Sequence, residues 1–224
     1  MIRDKRGEGV YVDSDAELRW RPLLESGGEI DRYLIDYHGN FIYYHPDEQR
    51  RKAYAKSGFE EEKYVGEKLL LRQTGDSLIA TYDDENYFCL NNMHVIHLLP
   101  DKPPYSLKYT LALLNSKLMN HYYHLISLEL GRAMAQTDIE TIEKLPIRRI
   151  DFDNPKEKKM HDDLVALVER MLELNKRLKE AVGRERQGLE RKIERTDGEI
   201  DELVYRLYGL TEEERKAVEE VAKA

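Results

Sequence analysis

The apolar residues of this 224-residue chain change their spacing near residue 150. Before that point they form short runs, Tyr33 to Ile35, Phe41 to Tyr44, Lys68 to Arg72, Leu78 to Tyr82, Tyr87 to Leu90 and His94 to Leu99, separated by Gly, Asp, Asn and Pro. Such punctuated runs predict strands. One helical stripe is set among them: Leu107, Leu111, Leu114, Leu118, Tyr122 and Leu125 recur at three- and four-residue steps behind Ser106, a side chain suited to capping a first turn. After Asp151 the pattern is wholly helical. Asn154-Pro155 reads as N-cap and first helical residue, and Leu164, Leu167, Met171, Leu174, Leu178 and Ala181 fall on the a and d positions of a heptad. A polar stretch from Gly183 to Gly188 predicts a break, followed by a second seam of Leu189, Ile193, Thr196, Ile200, Leu203, Leu207 and Leu210. Thr211 and Glu214 have the spacing of a capping box that opens a last short helix.

These elements predict an α+β fold with two parts. Residues 1–150 form a mixed, β-rich domain with one strong helix, and residues 151–224 a helical hairpin or spacer with a short terminal helix. The first part lacks the regular βαβ alternation of a nucleotide-binding fold. A short break between the long helices predicts an antiparallel pair, whose apolar seam is satisfied either within the chain or by a second copy.

Composition narrows the chemistry. A single cysteine, Cys89, excludes a disulfide framework and a cysteine-based zinc site. No apolar run approaches the roughly 20 residues of a membrane span, so the expectation is a cytoplasmic protein without a membrane partner. The formal net charge is −8, shared evenly by the two parts. A self-sufficient DNA binder usually carries a basic surplus. Either the basic residues cluster on one face, or a separate domain grips the nucleic-acid backbone.

Three motifs suggest catalysis and each has a structural reading beside it. Lys102-Pro-Pro-Tyr105 resembles the Asn/Asp-Pro-Pro-Tyr of amino-methyltransferases, whose first side chain accepts a hydrogen bond from the target amino group. A lysine ammonium has only donors, so the segment reads instead as a loop into the Ser106 helix. Asp47 with Glu61, Glu62 and Lys63 has the residue types of a metal-dependent nuclease, but the charged span between them reads as a solvated loop. Of the pairs His94/His97 and His121/His124, only the second would share a face, on a helix, and it lacks a third ligand. No catalytic residue, cofactor site or metal site is therefore expected in this chain.

Four segments, in order, carry a family resemblance. Leu24-Glu-Ser-Gly-Gly-Glu-Ile-Asp-Arg-Tyr33 comes first, then Lys68-Leu-Leu-Leu-Arg-Gln73 with Leu78-Ile-Ala-Thr-Tyr-Asp83. The third and longest runs from Tyr109 through Leu-Asn-Ser-Lys to Tyr123, with Gly131, Arg132, Gln136 and Ile142-Glu-Lys-Leu-Pro-Ile147; the last is Ile200 to Thr211. Together they resemble the TaqI-like C-terminal specificity domain, the target-recognition part of adenine-specific DNA methyltransferases and fused restriction-modification enzymes. The resemblance implies a DNA recognition module without a catalytic domain of its own. Its partners would be double-stranded DNA and a methyltransferase catalytic domain or subunit docked through the C-terminal helices, and S-adenosylmethionine would bind elsewhere in the complete enzyme. A free-standing specificity subunit or scaffold is the alternative, and a nuclease the third.

Base edges are read by Arg, Lys, Asn and Gln, and phosphates by scattered basic and hydroxyl groups. Three clusters supply them: Tyr43, Tyr44 and His45 with Arg50, Arg51 and Lys52; Arg72, Gln73 and Thr74; and Arg132 with Gln136. Each also has a plain structural reading, as an edge strand and surface turn, a strand end before a Gly-Asp turn, and loop-ordering hydrogen bonds respectively. Arg148-Arg149, at the junction of the two parts, reads equally as an exposed pair or a phosphate contact.

Overall fold

Three consecutive leucines set the layering in the computed structural model of the chain, which describes residues 3–5, 20–43, 61–99, 104–127 and 135–221. The strands are β1 (Arg3–Lys5), β2 (Trp20–Leu24), β3 (Ile30–Asp31), β4 (Leu34–Ile35), β5 (Asn40–Tyr43), β6 (Lys68–Arg72), β7 (Ala80–Asp83), β8 (Phe88–Cys89) and β9 (Met93–Ile96). Leu69, Leu70 and Leu71 of β6 are all fully buried. Because side chains alternate across a strand, a continuous apolar run is what burial on both faces requires. Leu69 and Leu71 enter the main core, whereas Leu70 joins Leu24, Ile30, Tyr87, Cys89 and Met93 on the opposite face.

β6 is the centre of an antiparallel sheet of order β7-β6-β9. A second sheet has the order β1-β5-β2-β8, antiparallel except for the parallel pair β2 and β8. The hairpin β3-β4 turns through Tyr33, at φ 62°, whose N–H donates to the Ala80 carbonyl (3.1 Å). At the start of β6, Lys68 and Asp83 form a fully buried ion pair at 2.5 Å, with Asp83 also accepting from the Glu85 and Tyr87 amides (2.8 and 3.0 Å). Burial pushes the Asp83 carboxyl above its ordinary pKa, against the pull of Lys68.

Six helices complete the described residues: α1 (Leu107–Asn115), α2 (Lys117–Ile126), α3 (Ile139–Ile142), α4 (Pro155–Leu178), α5 (Gly183–Tyr208) and α6 (Glu212–Val221). The single stripe that predicted one helix is divided in two at Ser116. Its hydroxyl accepts from the Met119 amide (3.2 Å) and donates to the Leu113 carbonyl (2.7 Å), so it ends α1 and caps α2. The break turns the end of the stripe outward, leaving Leu125 70% exposed.

Other expectations hold with shifted ends. Ser106 and Asn154 cap α1 and α4 through the amides of Lys108 and Lys156, and Thr211 and Glu214 form the anticipated capping box before α6. The break between the long helices lies at residues 179–182 rather than 183–188, and α5 begins at Gly183. Gly188 is interior to the helix, its propensity cost outweighed by the packing of the seam. The ion pairs Arg170–Glu199 and Arg177–Glu185 cross between the two antiparallel helices. β2 was not anticipated, since Pro22 and Arg21 obscure its alternation.

The change of pattern at residue 150 marks a change of secondary-structure class, not of core. Leu164, Val168 and Met171 of α4 and Ile200, Leu203, Val204 and Leu207 of α5 share one apolar cluster with Leu69, Leu71 and α1. The hairpin seam is thus satisfied within the chain. Among the described residues, no helix is long and apolar enough to cross a membrane.

Candidate nucleic-acid interface

Four loops meet where β2 and β6 end and β9 begins. Arg72, the last residue of β6, donates through Nε to the Gly27 carbonyl (2.9 Å) and through Nη2 to the Ile30 carbonyl. This holds the turn formed by residues 25–29 against the sheet. Gly27 is closely enclosed there: a Cβ would lie 3.0 Å from Arg72 Cγ and 3.2 Å from Thr74 Oγ1. Ser26 and Glu29 close the turn as a capping box, with the buried Glu29 carboxylate accepting from the amides of Glu25 and Ser26 (2.6 and 2.9 Å). The Leu24 to Tyr33 motif is therefore a turn and its clamp.

Backbone bonds tie this turn to the other loops. Asn92 Nδ2 donates to the Glu25 carbonyl (2.5 Å), and the Asn92 carbonyl accepts from the Gln73 amide (2.9 Å). Gln73 in turn accepts from the Thr137 amide (2.7 Å), and Gly75 donates to Ala135 (3.0 Å), so that Thr74 and Gln136 face each other in an isolated antiparallel bridge. Gly75 turns the loop at φ 136°, a conformation that side chains rarely adopt.

The longest of the four sequence segments holds this arrangement from behind. Asn115 pairs with both backbone groups of Ala80 (3.0 Å each), and Asn120 Oδ1 accepts from the Leu78 amide (2.8 Å). Tyr123 reaches Thr137 (3.3 Å). His94 and His124 bond the carbonyls of Thr137 and Asp76 (2.6 and 2.9 Å), and His97 that of Lys63 (2.9 Å), so these three histidines order loops. Tyr208 donates to Pro146 (2.7 Å) and accepts from the Arg148 amide (3.1 Å), fixing the Leu-Pro-Ile segment to the end of α5.

Ser26, Gly28, Thr74, Asn91 and Gln136 are exposed on the resulting surface. Their groups are hydroxyls, amides and bare backbone, the chemistry that matches base edges. A cleft of about 630 Å³ opens beside it, between Gln73, His94, Ile126, Asp138 and Lys144. Thr141 donates its amide to Asp138 (2.8 Å), which holds that carboxyl below its ordinary pKa.

The anticipated residues fall into different situations. Gln73, Thr74 and Gln136 are brought together. Arg72 lies beneath them with its guanidinium engaged by two carbonyls. Tyr43 sits at the opposite end of β2, paired with Trp20. Tyr44, His45, Arg50, Arg51, Lys52 and Arg132 lie outside the described residues, as does Asp47 of the nuclease reading. Glu61 is paired with Arg21 at 2.8 Å. Tyr105 exchanges hydrogen bonds with the Ile150 backbone (3.1 and 3.4 Å), as a loop anchor does. Arg148 pairs with Glu157 at 3.2 Å. Asn91 was missed because Asn91-Asn92 reads as turn punctuation alone; Asn92 makes the turn and leaves Asn91 outward.

A model of the TaqI-like C-terminal specificity domain matches residues 21–147, more than half of the chain and all four loops. The chain belongs to that family. The type II restriction enzyme and methyltransferase RM.Eco57I of Escherichia coli is 29% identical to this specificity domain over 114 residues, which are 50% of this chain and 11% of that protein. The solved structure of the type IIL restriction-modification enzyme MmeI in complex with DNA shares its fold, with a TM-score of 0.57 at 13% identity over 88% of this chain and 29% of that one. The chain thus spans a small part of the length of either relative.

Proposed function

We propose that this chain selects the DNA sequence for an adenine-specific methyltransferase or single-chain restriction-modification enzyme whose catalytic residues lie outside it. The observation that carries this reading is the surface of Thr74, Asn91 and Gln136, where exposed amides and a hydroxyl sit on loops that backbone bonds join to one another. Rigid loops bearing unpaired hydrogen-bonding groups suit the reading of base edges, with Asn and Gln matching adenine. The family membership and the DNA-bound fold relative support it. S-adenosylmethionine, the methyl donor of such a reaction, would be held by the catalytic partner.

Fluorescence anisotropy with a randomised duplex pool, followed by sequencing of the bound fraction, tests the reading. An enriched motif is expected, and Gln136→Ala or Asn91→Ala should relax one position of it by about 1–3 kcal/mol without changing the thermal unfolding midpoint. Binding without an enriched motif, or no binding at low salt, overturns it.

A further inference from the structure

Among the described residues of this acidic chain, the tip of the helical hairpin is basic. Residues 176–195 contain eight Lys and Arg against four Glu, a net charge of +4; since the whole chain carries −8, the remainder carries −12. All eight basic residues are exposed. Four have ion-pair partners: Arg177 with Glu185, Lys179 with Asp36, Arg186 with Glu190 and Arg195 with Glu199. Lys176, Arg184, Arg191 and Lys192 have no ion-pair partner among the described residues.

Helix stability accounts for only part of this distribution. Cations near the end of α4 complement its dipole, but Arg184 and Arg186 occupy the first turn of α5, where the helix end is itself positive. Val182, the N-cap residue, supplies no side-chain acceptor and is 80% exposed. The first-turn amides of α5 therefore add donors to the same cationic tip.

A second observation lies on the outer face of α5. Arg184, Gly188, Arg191 and Arg195 follow one another at steps of four, three and four, which places them on one stripe. Gly188 is exposed and no atom lies within 4 Å of the position its Cβ would take, so packing within the chain does not demand a glycine. An interior glycine weakens a helix. A bare backbone between arginines suits the close approach of an anionic partner.

The tip also contacts the end of the β3-β4 hairpin, which is bonded to the clamped turn. Lys179 donates to the Ile35 carbonyl, and the next amide, Asp36 N, donates to the carbonyl of Glu29 in the clamped turn (2.7 Å). We infer that the hairpin tip and the Arg184–Gly188–Arg191 stripe grip the phosphate backbone of duplex DNA flanking the sequence read by the loops. The inference rests on the DNA-recognition reading above and assigns the backbone contact to this chain itself.

The test compares the full chain with an Arg184→Ala/Arg191→Ala/Lys192→Ala variant and with Gly188→Gln, measuring affinity for a randomised duplex pool and for the enriched motif across a salt series. Each phosphate contact contributes about 0.9 to the slope of log K against log salt, so the triple variant should lower that slope by roughly 2 to 3 and weaken both duplexes equally, by roughly 10- to 100-fold. Gly188→Gln should weaken both while leaving or raising the unfolding midpoint, because glutamine favours the helix. If the parent chain binds DNA and neither variant changes affinity or slope, the tip is a solvated surface and this inference falls while the recognition reading stands. If the parent binds no DNA but the same arginines retain vesicles of anionic lipid or an acidic peptide, both readings fall.

Discussion

Arg72 connects almost everything at the candidate interface, yet its guanidinium points into the protein. Its two carbonyl acceptors, Gly27 in the turn and Ile30 at the start of β3, lie three residues apart, a spacing that suits the planar fork of arginine and not the point charge of lysine. Arg72→Lys should therefore lower stability by about 1–3 kcal/mol, since at least one carbonyl loses its donor. A urea titration checks this, with a reduced midpoint at constant slope. If Arg72→Lys leaves stability intact and alters only the bases preferred, the residue reads DNA instead. The sequence does not distinguish these roles: an arginine after an apolar strand fits both, and only the acceptors decide. Gln73, Thr74 and Gln136 show the complementary case, where residue type was legible but their meeting across the fold was not.

Among the elements, several helical signals were legible because a side chain acts on its own neighbours. The caps at Ser106, Asn154 and Thr211 follow from local spacing. The division of the α1–α2 helix at Ser116 was hidden because its cause is tertiary: Asn115 turns to β7, and Asp201 of α5 accepts the Lys117 amide (2.9 Å). α3 depends on a similar local cap, Asp138, which is exposed. The carboxyl has a lower pKa folded than unfolded, so the cap is fully present above the ordinary carboxylate range and is lost as pH falls through the folded value. Thr141 amide protection, followed by NMR hydrogen exchange, should accordingly decline as pH falls from about 5 to about 2. In Asp138→Asn that dependence should vanish.

For the whole molecule, the pattern changes near residue 150, and one apolar cluster is shared across that point by β6, α1, α4 and α5. A fragment of residues 1–150 would present Leu107, Leu111 and Leu114 to water, a loss that hydrogen bonds within the β-rich part do not offset. Such a fragment should lack a cooperative thermal transition and dispersed amide resonances; a well-dispersed spectrum would show that the first part folds alone. The bridge between Thr74 and Gln136 has a further consequence, for how new specificities arise. Two stretches far apart in the gene share one set of backbone bonds, so each constrains the shape the other can take. Recombination with a crossover between them would join halves shaped by different ancestors, whereas exchange of both together would carry a working surface intact. Changes of target preference in this lineage should accordingly appear as paired substitutions in the two loops.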